Sequence, residues 1–427
     1  MQKKLAVLLV AAVAMAAVEE ADAASTSLVS VDATGKAGGG ESSWMNAISQ
    51  DGRFIVFKSA NSLIASDVNG LYDIYVYDRV AGKMELVSVD SKGQQGNGDS
   101  GGQAAISADG RFVAFESNAR NLAPGADLAP KGTRVLYVRD RATGTTMLGG
   151  ADKNGVLANG LAYHQSLSAD GRYLAFESDA TNLIAGRTIK GHQSYVKDLV
   201  TGKVEVVSVA ADGTLANSAA RNPYLSGDGR FICFNSDAAN LLPGAKPTNR
   251  QLYLKDLGTG QLELVSFDYR HPTEGIGADG EQCFVSGDGR YTVYRSDATN
   301  LVAGDTNGVA DIFLYDRTTK TNERVNLSNG GDQMTGSVGL RPTVTNDGRF
   351  IAFEYPASGA YVYDRQTKTL EPVSVDGAGA VHPAQNACIS ADGSAVAFLT
   401  ADALVPADTN GTYDIYVRDR SSLPRPK

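Results

Sequence analysis

The sequence predicts an all-β fold: a seven-bladed β-propeller of four-stranded antiparallel blades, closed by the N-terminal strand completing the last blade. Three observations predict it. The triplet Asp-Gly-Arg recurs at Asp51, Asp109, Asp170, Asp228, Asp288 and Asp347, and once more at Asp392 with Ser394 in place of Arg. The spacings are 58, 61, 58, 60, 59 and 45 residues, and self-similarity at such a period marks a solenoid, propeller or array. Each repeat also carries four short runs of β-branched and aromatic residues bounded by Gly, Asp, Asn or Thr. Finally, the last repeat has only three of these runs, and its missing fourth resembles text at the other end of the chain.

Repeat five shows the elements in order. Strand A covers Cys283 to Ser286, and the turn Gly287-Asp288-Gly289 follows, because Asp-Gly tolerates positive φ. Strand B runs from Arg290 to Arg295. A long B–C loop leads to strand C, Asp311 to Arg317, and a turn leads to strand D, Glu323 to Leu327. Strand C ends in Asp in every repeat, at Asp78, Asp140, Asp198, Asp256, Asp316, Asp364 and Asp419. Antiparallel pairing places it beside the Arg that opens strand B, so a cross-strand ion pair is expected. Between Asp347 and Asp392 the B–C loop is almost absent, which explains the short spacing. The seventh repeat lacks strand D, and Ser27-Leu28-Val29-Ser30-Val31-Asp32 matches Leu86-Val87-Ser88-Val89-Asp90, so the N-terminal strand is expected to complete blade seven and remove an exposed edge.

Composition and ends bound the function. With 42% hydrophobic and 20% charged residues and 47 glycines, the chain suits a turn-rich globular β protein rather than disorder. Lys3 and Lys4, the apolar run Leu5 to Val18 and the small-x-small site Ala21-Asp22-Ala23 make residues 1–23 a secretory signal peptide. The run is short for a bilayer span. Residues 24–427 are then one propeller domain, exported to the periplasm or beyond, monomeric and not inserted in a membrane. A net charge of −9 repels phosphate backbones, so nucleic acid is not an expected partner. Cys233, Cys283 and Cys388 allow at most one internal disulfide, and small buried hydrophobes are the expected role.

Two residue sets carry candidate chemistry. Asp-x-Asn-Gly-x-x-Asp occurs in three B–C loops, as Asp67, Asn69 and Asp73, as Asp305, Asn307 and Asp311, and as Asp408, Asn410 and Asp414. Three oxygen-bearing side chains around a Gly resemble part of a calcium loop, although Ala65, Ala303 and Pro406 stand where a further acid would be. Asx-turn and strand-capping chemistry is the plainer reading. Blade three has Arg187, Ile189 and Gln193 at these positions, so the loop can exist without a metal. The second set is a varied polar ring where strand A enters the central channel: Met45, Gln103, His164, Asn222, Gln282, Arg341 and Asn386, with Trp44, Arg221 and Glu281 beside them. A solvated rim is the plainer reading of it, and ligand or partner recognition the sharper one. The D–A and B–C connections share one face, which therefore carries the long loops and the candidate site. The chain has no GxSxG, HExxH, P-loop or dinucleotide fingerprint, and its four histidines lie in different loops.

The run Ser107 to Ser117 (Ser-Ala-Asp-Gly-Arg-Phe-Val-Ala-Phe-Glu-Ser) resembles the WD40-like, TolB-type propeller repeat of bacterial exported proteins, as do Asn300-Leu301-Val302 and Asp305-Thr306-Asn307-Gly308. The resemblance implies the propeller and export, and says little about activity. The resulting expectation is a non-catalytic scaffold that binds an envelope or extracellular protein, or a glycan, with Ca2+ as its one candidate cofactor. The alternative is a propeller enzyme, a polysaccharide lyase or glycosidase working at the channel mouth.

Overall fold

The computed structural model describes residues 24–38, 47–130, 132–243, 250–275 and 282–421. Within them the strands form seven four-stranded antiparallel sheets, each in the order A-B-C-D, and a two-stranded hairpin of Phe267–Asp268 and His271–Gly275. Blade one comprises Ala47–Ile48, Phe54–Ser59, Asp73–Asp78 and Lys83–Leu86. Blade four comprises Ala220–Leu225, Phe231–Ser236, Gln251–Asp256 and Leu262–Leu264. Blade seven takes strands A to C from Gln385–Ile389, Ala395–Thr400 and Asp414–Asp419, and its D strand is Thr26–Leu28. Thr26 lies opposite Arg418 and Leu28 opposite Tyr416, so the N-terminal strand closes the ring as expected. In blade six Tyr355 pairs directly with Gly359, which confirms the trimmed B–C loop. Among the described residues the one helical turn is a 3-10 turn at Ala126–Leu128, and no helix is long and apolar enough to cross a membrane.

The core lies between blades. Val56 and Val76 of blade one pack with Val113, Phe115 and Tyr137 of blade two, all fully buried, so neighbouring sheets supply one another's apolar face. The Asp-Gly-Arg turn belongs to this interface. Gly289 has a φ of +72°, and a Cβ on it would lie 1.9 Å from the Phe231 ring of the preceding blade. Its Gly is thus required twice, for backbone conformation and for space. Arg53 pairs bidentately with Asp78 at 2.9 and 2.7 Å and holds that carboxyl down at about 2. The same pair recurs at Arg111–Asp140, Arg172–Asp198, Arg230–Asp256, Arg290–Asp316 and Arg349–Asp364. In blade seven, where Ser394 replaces Arg, Asp419 instead receives Arg79 of blade one at 2.8 Å, across the seam.

A second arginine, directly after the strand-C Asp, links successive blades. Arg365 donates to the Gly348 carbonyl of its own turn at 2.8 Å and pairs with Glu323 of blade five at 2.8 Å. Arg420 does the same with Gly393 and with Glu371 of blade six. At the narrow end of the channel the blades join through backbone bonds, Ala108 N to Ala169 O, Ala169 N to Gly227 O, Asp228 N to Gly287 O, Asn346 N to Ala391 O and Ala391 N to Gln50 O.

The cysteines correct the sequence reading. Cys233 on strand B of blade four and Cys283 on strand A of blade five (Cys283–Val285) form a disulfide. They are 50 residues apart in sequence, and the inter-blade packing that brings them together is invisible to cysteine spacing. Cys388 stays outside the disulfide, and burial in the channel wall pushes its thiol up to about 12.

Candidate functional site

Strand A of every blade lines the channel, and at its loop-face end the channel holds a cavity, the funnel, of about 120 Å3. Gln103, Gln165, Arg341 and Asn386 line its polar upper part, and Tyr224 and Phe284 form an aromatic floor with ring centroids 4.4 Å apart. Ile48, Ile106, Leu167, Val285, Val344 and Ile389 make an apolar belt below, shared with the narrow end. Gln282 donates to Gln103 Oε1 at 3.2 Å, so blades two and five meet across the mouth. Gln165 donates to the Gln103 carbonyl. The side-chain oxygens Gln165 Oε1, Gln282 Oε1 and Asn222 Oδ1 are buried and accept no hydrogen bond.

The mouth owes its shape to bulges. Strand A shifts register against strand B between Tyr163 and Ser166, between Arg221 and Tyr224, between Gln385 and Cys388, and between Gly101 and Ala104. His164, Asn222 and Asn386 take up left-handed backbone there, with φ of 52°, 52° and 54°. Blade two has one more residue in its bulge and uses Gly102 at +76°. Non-Gly residues in this region cost free energy, and the surroundings must hold them. Buried carboxylates on strand B of the preceding blade do so: Asn222 N donates to Glu177 Oε2 at 2.6 Å, and Ala387 N to Glu354 Oε2 at 3.4 Å. Burial pushes Glu116 and Glu354 up to about 7.

Glu177 behaves differently because it has more donors. Burial acts to raise its pKa, but bonds from His164, the Asn222 amide and Tyr163 prevail and hold it below the usual carboxylate range. His164 Nδ1 lies 3.1 Å from Glu177 Oε2, His192 Nδ1 lies 3.9 Å from Oε1, and the Tyr163 hydroxyl is 3.3 Å from His192 Nδ1. The Glu177 side chain is fully buried, whereas His164 and His192 are 31% and 24% exposed. A histidine oriented by a buried carboxylate can accept or donate a proton at its free nitrogen.

The three Asp-x-Asn-Gly-x-x-Asp loops each bring their side chains together; protein donors fill those of blades one and seven, whereas Asp305 Oδ1 in blade five is buried without a hydrogen bond. Tyr75 donates its hydroxyl to Asp67, and Asn69 Nδ2 donates to Asp73 at 2.8 Å while Asn69 Oδ1 caps the Leu71 amide. Tyr416, Asp408, Asn410 and Asp414 repeat this in blade seven, with Ser30 of the closing strand on Asp414 at 2.6 Å. In blade five Phe313 stands where the tyrosine would, and Arg324 takes its place, 3.3 Å from Asp305 and 3.6 Å from Asp311, with Asn307 again on Asp311 at 2.9 Å. Where the loop Asp is replaced by Arg187 in blade three, the Tyr195 hydroxyl is buried without a partner. Among the described residues no three Asp, Glu, His or Cys side chains gather as a metal set.

Of the predicted ring, Gln103, Arg341 and Asn386 line the funnel, Asn222 and Gln282 are buried at its rim, and His164 and Arg221 stand by Glu177 and Tyr163. Trp44, Met45 and Glu281 lie outside the described residues, as do residues 1–23. Sequence reasoning missed Tyr163, Gln165, Glu177, His192, Tyr224 and Phe284, and it missed the meeting of two histidines it had assigned to separate loops. One signal was available: seven residues after the repeat's Asp stand Glu116, Glu177 and Glu354, but Lys58, Asn235, Arg295 and Leu399 in the other blades.

Oligogalacturonate lyase in complex with manganese is similar in structure, with a TM-score of 0.56 and 14% identity over 93% of this chain and 96% of that one. The oligogalacturonate lyase from Vibrio parahaemolyticus gives 0.51 and 15% over 89% and 90%. TolB from Acinetobacter baumannii gives 0.41 and 17% over 86% and 81%. No protein-family profile and no curated protein sequence matches the chain. At these identities the lyase likenesses show the propeller fold alone.

Proposed function

We propose that this chain is an exported propeller that binds a hydroxyl-rich ligand of glycan type in the loop-face funnel. The observation that carries the reading is a set of buried acceptors without donors: Gln165 Oε1 on a residue that lines the funnel with Tyr224 and Phe284, Gln282 Oε1 on the residue bonded to Gln103, and Asn222 Oδ1 two residues before Tyr224. Each unmet buried acceptor costs about 1–3 kcal/mol. Hydroxyl groups would satisfy them, and the C–H face of a sugar ring suits an aromatic floor. Export is supported by the Cys233–Cys283 disulfide, since such bonds persist in oxidising compartments, and by the character of residues 1–23. Titration calorimetry against a panel of neutral and acidic oligosaccharides tests the reading. Gln165→Leu and Gln282→Leu should each weaken binding by about tenfold, and a panel that gives no heat with the parent protein removes it.

The Glu177–His164 pair favours a second reading, cleavage of a polysaccharide at the same mouth. It predicts new chain ends from at least one polysaccharide, lost in His164→Ala. Calcium at the Asp67, Asp305 and Asp408 loops belongs to the same proposal as a stabiliser. It requires a melting temperature that falls on chelation, and equal melts with and without EDTA exclude it.

A further inference from the structure

Beside the funnel, blades three and four build a cluster that the amide rim does not explain. Its members are Tyr163, His164, Glu177, His192 and Arg221. Glu177 is the buried hub: its Oε2 accepts from His164 Nδ1 and from the Asn222 amide, while its Oε1 is buried without a hydrogen-bond partner and has His192 Nδ1 at 3.9 Å. Arg221 opens the blade-four bulge opposite Asn235. Its Nε is buried without a hydrogen-bond partner, and no carboxylate lies within ion-pair distance of it among the described residues. Arg221 acts electrostatically on the Tyr163 hydroxyl, which itself lies 3.3 Å from His192 Nδ1. Two other carboxylates face this corner. Asp179 acts on Tyr163 and already accepts from the Leu161 amide at 2.7 Å. Glu116 has Arg134 at 3.8 Å. Among the described residues, a guanidinium without an ion-pair partner, a phenol and two part-exposed imidazoles thus stand together in an acidic protein.

We infer that this corner is an anion subsite, in which Arg221, joined by the imidazolium forms of His164 and His192, takes the carboxylate or phosphate of a ligand whose hydroxyls occupy the funnel. The guanidinium supplies charge-assisted bonds of the kind that match planar oxyanions. Glu177 is a positioning residue: it fixes His164 by Nδ1 and holds Asn222 in the bulge that sets Arg221 at the rim. The inference rests on the glycan reading for its hydroxyl half only.

Three probes separate the two halves: cellotetraose, the same tetramer oxidised to a carboxylate at every C6, and inorganic phosphate. Calorimetry should show the oxidised tetramer binding at least about tenfold tighter than cellotetraose. Arg221→Gln should abolish that preference and leave cellotetraose binding unchanged, while Arg221→Lys should keep part of it. An unaltered melting curve for Arg221→Gln establishes that the loss is local. Equal binding of the two tetramers overturns the anion subsite and leaves the funnel reading standing. If neither tetramer binds but phosphate does, and the Arg221→Gln protein loses it, the subsite stands and the glycan reading falls. Silence from all three probes overturns both.

Discussion

At Gly289 a backbone requirement and a packing requirement fall on one atom. Its φ of +72° disfavours any side chain, and the Phe231 ring of the neighbouring blade occupies the place a Cβ would take, 1.9 Å away. Gly308, in a B–C loop, has a φ of +68° with nothing within 4 Å. Substituting Ala at both positions separates the two contributions. Gly308→Ala should cost about 1–2 kcal/mol, the price of left-handed backbone alone. Gly289→Ala should cost that plus about 1–3 kcal/mol for displacing a packed aromatic ring, read as the difference in denaturation midpoints. The triplet therefore recurs for interface reasons, and its Arg for the ion pair with strand C. Both were legible in the sequence because each repeat states them again at a fixed distance, and six Arg–Asp pairs agree. The partner of the seventh, Arg79 on Asp419, comes from the repeated arginine after strand C of the next blade, which elsewhere, as at Arg365 and Arg420, reaches a strand-D Glu of the preceding blade.

Single strands explain why the site was only half legible. Strand A carries its framework residues at regular offsets from Asp-Gly, so Gln103, Arg341 and Asn386 could be counted to the channel. The bulges then add a residue and turn the backbone, and the carboxylates that hold them sit on strand B of the blade before, about 45 residues away for Asn222 and Glu177 and beyond the reach of any local pattern. These carboxylates make a pH prediction. Glu116 and Glu354 titrate near 7 in the folded chain, above their ordinary 4.5, because burial disfavours the charge. The folded chain then binds more protons than the unfolded one, so their contribution falls as pH rises from about 4.5 to about 7. Glu116→Gln and Glu354→Gln keep an acceptor for the bulge amides and remove the titration. Each should raise the melting temperature at pH 8 by about 2–4 °C and change little at pH 4.5. An equal shift at both pH values would refute the assignment to these carboxyls.

Across the whole molecule, two long-range ties act on the ring. One is the disulfide between blades four and five, closing a sequence separation of 50. Chain-entropy estimates put such a loop at about 4 kcal/mol. The paired Cys233→Ala and Cys283→Ala variant should accordingly melt several degrees below the parent, and the parent should fall by the same amount in reductant. A parent insensitive to reductant would mean that blade packing alone sets the stability at that joint.

The other tie is the strand Thr26–Leu28, which has Arg418 and Tyr416 for partners. A chain made from its N-terminus carries this strand from the start and cannot pair it in its own blade until Asp414–Asp419 exists. For the length of synthesis the molecule keeps one strand waiting and one gap open. The fold therefore assembles like a necklace whose clasp was threaded first: blades one to six can settle from neighbouring contacts, while the last joint waits on the slowest search in the chain. Aggregation through that unpaired edge is the hazard of the interval, and a chaperone that shields residues 26–28 until closure would raise the yield of folded protein without touching its final stability.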